Sequence, residues 1–182
     1  MSGRGVVSII FASLAILAFL AGDCAPARAK EVVTVDDKYP MGAIVVDTAE
    51  RRLYYVLGNG RAIRYPVAVG KPGFQWFGQS FVQRKAKDPG WSPTSRMRRM
   101  GYPRYVPPGP RNPLGVRAIY LGWSEYRIHG TNAPGSIGGA ASSGCFRMLN
   151  EHVSDLYERV HIGAPVYVLR SMNEVKSADA RR

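Results

Sequence analysis

In the stretch "IHGTNAPGSIGGAASSGCFRML", residues 128–149, a histidine at 129 and a cysteine at 145 are joined by a run rich in Gly, Ala and Ser. A thiol becomes a strong nucleophile when a nearby base or positive charge favours its thiolate. His129 is the obvious base: a neutral imidazole takes a proton and later returns it to a leaving amine. Gly144 lets the backbone bend just before Cys145 and pass close to a substrate carbonyl. The N–H groups around Gly144 and Cys145 are candidates to stabilise an oxyanion. Arg147, two residues beyond the thiol, is in reach of a substrate carboxylate. Ser142 and Ser143 read as loop donors that contact substrate, and as nucleophiles only if the thiol were absent.

Three competing readings of the same residues stand beside this one. Cysteine is among the most buried residue types, so an inert core thiol is the ordinary alternative. A metal centre needs further ligands; His152 and His161 are available, yet no Cys-x-x-Cys or His-x-x-x-His pair accompanies them, so no metal is expected. They read instead as a helix-surface residue and a turn residue. Disulfide exchange lacks a resolving partner. Zinc, nucleotide and haem motifs are absent, and no cofactor is expected.

The N-terminus gives the thiol its context. Arg4 precedes an uncharged apolar run from Val6 to Ala21, and Ala27-Arg28-Ala29 offers a cleavage site, the pattern of a secretory signal peptide over residues 1–29. The run is short for a membrane span of ~20 residues, so cleavage is preferred to a retained anchor, and membrane contact is expected to be transient. Of the two cysteines, Cys24 would leave with the leader. An exported protein with one remaining thiol has either an intermolecular crosslink or a reactive group. The net charge of +12 suits an anionic polymer or surface. Without a recognisable nucleic-acid motif, nucleic acid is not the expected partner.

The elements that must hold these residues follow from patterning. Residues 30–41 form a short polar lead-in. "AIVVD" reads as a strand, and two β-rich runs flank an Asn-Gly turn at "GNG", 58–60. Most of the 13 prolines fall between 71 and 115, which predicts a long, loop-rich insert that excludes helix and central strand. "VRAIYLGWSEYRIHG" returns to strand chemistry with His129 at its end. Val153, Leu156, Tyr157 and Val160 then mark one amphipathic helix with Asn150 as its N-cap. "GAPVYVL" closes the domain, and residues 170–182 form a polar tail expected to be mobile. The class is mostly β, with one clear helix after the cysteine.

The pieces "IHGTNAPGSIG" and "SSGCFRML", in that order, resemble the L,D-transpeptidase catalytic domain, the YkuD-type family of bacterial cell-wall enzymes. The likeness runs over roughly residues 42–169 and includes "IVVDTAERRLYYV", "YPVAVGKPG" and "DLYERVHIGAPVYVL". It implies a β-sandwich or barrel-like domain with Cys145 as nucleophile and His129 as its base. It also implies that the Gly130 carbonyl orients the imidazole, that Gly144 and Cys145 are oxyanion donors, and that Arg147 is the arginine after the catalytic cysteine. The implied substrate is the peptidoglycan stem peptide, cleaved before its terminal D-alanine. The acyl group then passes to a stem-peptide amine, to an envelope protein, or to water in an L,D-carboxypeptidase. A wall-binding module without catalysis is the reading from another class. Two departures stand out: Ser143 replaces a frequent second histidine, and "GFQWFGQSF" replaces a Thr-Pro-x-Gly-type segment, reshaping one wall of the cleft.

Overall fold

A computed structural model describes residues 29–173. The expected leader, Cys24 and the tail from 174 onward therefore lie outside the described residues. The chain enters through β1 (Glu31–Thr34) and continues as β2 (Ile44–Asp47), β3 (Arg52–Gly58), β4 (Arg61–Pro66) and the short β5 (Val69–Gly70). β6 (Gly78–Lys87), α1 (Ser95–Arg99), β7 (Arg117–Leu121) and β8 (Arg127–His129) follow. A 3-10 turn at Pro134–Ser136 leads to β9 (Ala140–Ser142), β10 (Phe146–Arg147), α2 (Asn150–Arg159) and β11 (Pro165–Leu169). The described residues form a nine-stranded sheet in the order β1-β4-β3-β2-β11-β6-β7-β8-β10, with β5 paired to β9 beside it.

The β3–β4 hairpin turns through Asn59 and Gly60, both at positive φ (53° and 66°), as a two-residue connection demands. β2 is buried on both faces. Ile44 and Val46 enter the main core, while Val45 packs with Tyr54, Val56 and Ala62 on the other side. The polar lead-in contributes structure of its own: β1 pairs antiparallel with β4, from Glu31 opposite Arg64 to Thr34 opposite Arg61. At the far end, Asp47 is fully buried and accepts hydrogen bonds from the Glu50 and Met172 N–H groups, each at 2.8 Å. The first residues of the expected tail are thus tied to β2.

The proline-rich stretch differs from its expectation. Its prolines leave a clean window between Pro72 and Pro89, and β6, the longest strand, occupies it in the centre of the sheet. Residues 78–81 of β6 pair with β11, and residues 82–87 pair with β7. One strand therefore carries the sheet from its first half to the half that bears the site. Proline density excludes a strand only where the prolines stand, and here they bracket it. The stretch also holds α1, capped by the Thr94 hydroxyl accepting from the Met97 N–H at 3.3 Å.

The run from 116 to 130 is a hairpin rather than one extended strand: β7 turns through Trp123, at φ 57°, into β8. α2 packs on β7 and β8 and buries Val153 and Leu156 completely. His152 is also buried, with its ring 5.7 Å from that of Tyr65, correcting its reading as a helix-surface residue. His161 is exposed between α2 and β11. Leu149 takes the N-cap position without a side-chain cap, and Asn150 is the first helical residue.

Asn150 serves a different purpose. Its Oδ1 accepts from the Thr131 N–H at 3.0 Å and the Val116 N–H at 3.4 Å, fastening the loop after β8 to the start of α2. Asn150→Ala would leave the buried Thr131 N–H without an acceptor, which costs about 1–3 kcal/mol. Urea unfolding is expected to show that loss; an unchanged midpoint contradicts the role.

Candidate active site

β8 and β10 are short and lie side by side in parallel, with Ile128 opposite Phe146 and His129 opposite Arg147. The register continues one residue back, setting Cys145 beside Arg127. Side chains alternate across a strand, so the four residues 127, 129, 145 and 147 share one face. Ile128 and Phe146 point the other way, and both are fully packed in the main core. This opposition decides the site: two apolar side chains are drawn inward, and the residues flanking them turn outward together.

The outward face meets a cavity of about 130 Å³ lined by His129, Cys145, Arg127, Arg147 and Ser143. Trp91, Thr94 and Met97 from the start of α1 and the loop before it form the facing wall. Met97 of α1 thus belongs to the cleft, while Arg96, Arg98 and Arg99 make that helix's last turn basic.

His129 is buried, and its Nδ1 lies 2.6 Å from the Gly130 carbonyl oxygen. A carbonyl only accepts, so Nδ1 carries the proton and donates it there; Nε2 is left as the lone-pair nitrogen. Burial pulls the imidazole down to about 3 against the opposing Gly130 hydrogen bond, and Arg147 and Arg127 add to the fall. The thiol is displaced the other way. Burial pushes Cys145 above its ordinary value, and Arg127, foremost, with Arg147 pulls it partly back. Both shifts run in the same sense: burial favours the neutral thiol over the thiolate and the neutral imidazole over the imidazolium.

Arg127 was not singled out from the sequence. Its Nη1 stands 4.0 Å from Cys145 Sγ, and its guanidinium carbon lies 5.5 Å from the Tyr120 ring centroid. The residue two before a histidine carries no local signal; only the parallel pairing of β8 with β10 brings it to the sulfur. Tyr126 and Trp76 were missed for the same reason, since they meet over Gly144 with ring centroids 5.0 Å apart and planes at 6°.

The loop before Cys145 is held tightly. Ser142 donates its hydroxyl to the Cys145 carbonyl at 2.5 Å and accepts from the Gly144 N–H at 3.1 Å. Two expectations change here. The Gly144 N–H is engaged within the loop rather than open to an oxyanion, and the buried Ser142 hydroxyl is spent on the loop's own backbone rather than on substrate. Among the described residues, no hydrogen bond occupies the Cys145 N–H. Gly144 is required on two grounds: its φ is 112°, and a Cβ there would stand 2.4 Å from Tyr126 Cε1. Arg147 exchanges backbone hydrogen bonds with Ala68 (3.0 and 2.9 Å), which leaves its guanidinium to the cavity. Among the described residues, no cluster of three or more His, Cys, Asp or Glu side chains is arranged to hold a metal ion.

Comparison with known proteins places this arrangement. The model of the YkuD family, the L,D-transpeptidase catalytic domain, matches residues 41–168. The probable L,D-transpeptidase YbiS of Escherichia coli (strain K12) is 41% identical over 134 residues, covering 68% of this chain and 43% of that protein. The probable L,D-transpeptidase ErfK/SrfK of the same strain is 38% identical over 137 residues, covering 69% of this chain and 43% of that protein. The chain therefore spans less than half the length of these relatives. The crystal structure of an Enterococcus faecium L,D-transpeptidase C442S mutant has the same fold, with a TM-score of 0.57 at 22% identity over 74% of this chain and 50% of that one. The chain belongs to the L,D-transpeptidase catalytic domain family.

Two outcomes follow from the electrostatics. Alkylation of Cys145 by iodoacetamide is expected to titrate with a midpoint above that of a free thiol, and Arg127→Gln should move it further up; a midpoint below the free-thiol value contradicts the resting state described. His129 has its folded value depressed to about 3 from 6.5, so the unfolded chain binds the extra proton between them. Its contribution to stability is complete above pH 6.5 and is lost as pH falls toward 3, at up to about 1.4 kcal/mol per pH unit. Chemical denaturation across that window should show a shallower slope in His129→Gln than in the parent; identical slopes contradict the burial of a neutral imidazole.

Proposed function

We propose that this chain is an exported cysteine L,D-transpeptidase acting on peptidoglycan stem peptides through a thioester on Cys145. The observation that carries the reading is the shared outward face of β8 and β10, which sets the thiol and the imidazole in one cavity with Nε2 unprotonated. Family membership supports the substrate class, and the +12 net charge fits an anionic wall polymer.

The steps follow from the resting protonation. As Cys145 Sγ approaches the carbonyl between the L-centre of the diamino acid and the terminal D-alanine, its proton passes to His129 Nε2. The S–C bond forms, and the carbonyl π pair moves onto oxygen. Collapse of that intermediate breaks the C–N bond, and the imidazolium returns its proton to the departing D-alanine amine. A second amine then attacks the thioester while His129 accepts its proton, and the thiol is regenerated. The acceptor is a stem peptide, giving a crosslink, or an envelope protein, giving covalent anchoring. Water competes, so an acceptor held in the cleft is required for transfer to win; the wall formed by Trp91, Thr94 and Met97 is the place for it. Arg147 faces the cavity as the group that meets a substrate carboxylate.

Residues 1–29 are assigned as the export signal, which places the mature domain in the periplasm or cell envelope. No helix among the described residues is long and apolar enough to cross a membrane.

Incubation of residues 30–182 with a disaccharide-tetrapeptide carrying meso-diaminopimelate is expected to release D-alanine and add the acyl mass to Cys145. A carbapenem should leave its adduct on the same residue. Cys145→Ala should abolish both additions, and His129→Ala should slow acylation about 100-fold or more. Retained turnover in Cys145→Ala, or wall binding with no product from the parent protein, overturns the reading.

A further inference from the structure

Trp76 sits in the segment that departs from the family's usual pattern, and its side chain reaches across to the cysteine loop. Its Nε1–H donates to the Gly144 carbonyl at 3.0 Å. The indole is held from two sides, stacked on Tyr126 and tilted against Phe146 with centroids 5.7 Å apart. Phe146 is fixed in turn by the main core. The donor therefore stands on a rigid support, and the acceptor is the carbonyl of the peptide unit whose nitrogen belongs to Cys145.

That shared peptide unit gives the contact its meaning. The bond between Gly144 and Cys145 is trans, so its C=O and N–H point in opposite directions within one plane. Anchoring the carbonyl on one side fixes the direction of the N–H on the other. The preceding peptide's donor is already engaged, since the Gly144 N–H goes to Ser142 Oγ at 3.1 Å. Two backbone donors then stand beside the sulfur: the Arg127 N–H, which is directed at the sulfur itself, and the Cys145 N–H, for which no hydrogen bond is found among the described residues. Donation into the carbonyl also polarises the amide and strengthens the opposite N–H.

We propose that Trp76 is a positioning residue that aims the Cys145 N–H at the oxygen that becomes negative when the thiol attacks. The proposal rests on the acyl-transfer reading above. In the step concerned, the thiol proton goes to His129, sulfur bonds to the carbonyl carbon, and the π pair becomes the oxyanion that the Cys145 N–H meets. Trp76 is not among the residues that line the cavity; it acts through the Gly144 carbonyl.

Two reactions of the same sulfur separate this role from a structural one. Alkylation by iodoacetamide forms no oxyanion, whereas acylation by a carbapenem does. Both rates are measured on the parent and on Trp76→Phe, which keeps an aromatic ring but lacks the donor. The expected result is an alkylation rate within twofold of the parent and an acylation rate lower by about tenfold or more, appearing in the maximal rate rather than in half-saturation. Circular dichroism and the urea midpoint first establish that the variant is folded to the same extent as the parent, because an unfolded thiol is still alkylated but is not acylated. Should Trp76→Phe fail to fold, Trp76→Tyr is read by the same ratio. An unchanged ratio, or a loss confined to half-saturation, overturns the proposal. A parent protein alkylated at Cys145 but acylated by neither carbapenem nor stem peptide would instead overturn the acyl-transfer reading itself.

Discussion

The site depends on the parallel pairing of two very short strands. β8 and β10 share only two paired positions, Ile128 with Phe146 and His129 with Arg147, yet this register determines which side chains face the cavity. Ile128 and Phe146 are both buried in the main core, and apolar burial of side chains this size contributes roughly 1.5–3 kcal/mol each. A slip of one residue would exchange the faces, sending His129 into the core and Ile128 into the cleft. The hydrophobic effect thus places the thiol and the imidazole without any direct bond between them being needed. α2 completes the arrangement from behind: Val153 and Leu156 pack into the same core while Asn150 fastens the loop that follows His129.

Burial that orders the site also sets its resting charge. A desolvated imidazole resists protonation, and a desolvated thiol resists ionisation, so burial favours the neutral form of each. Arg127 and Arg147 favour the thiolate but oppose the imidazolium, because positive charge acts oppositely on the two. On the acyl-transfer reading proposed above, an anionic substrate would cancel part of that field and make His129 a better base. Charge on the domain then bears on the chemistry as well as on attraction to a polymer.

Much of this was legible in the sequence, and the reasons differ by element. The Asn59-Gly60 turn, the α2 periodicity and the His129–Cys145 motif are local patterns, readable wherever the relevant residues lie close along the chain. β6 was obscured because prolines on both sides gave its whole neighbourhood the character of a loop. Arg127, Trp76 and Tyr126 were invisible for another reason: their roles come from pairings that join segments far apart in the chain. Asn150 was read as a helix cap, its usual use, but a loop N–H claims its oxygen instead. Gly144 was identified for its freedom of backbone, and the structure adds that Tyr126 leaves no room there for a side chain.

Imidazole nitrogen resonances of His129, followed by NMR from acid to alkaline pH, report directly on the charge of the buried pair. A protonated Nδ1 and a bare Nε2 throughout the neutral range, with the same pattern in Cys145→Ser, would accord with a neutral imidazole held by the Gly130 carbonyl. An imidazolium signature near pH 7 that disappears when the sulfur is replaced would show a pre-formed ion pair and contradict the resting state on which the mechanism is built.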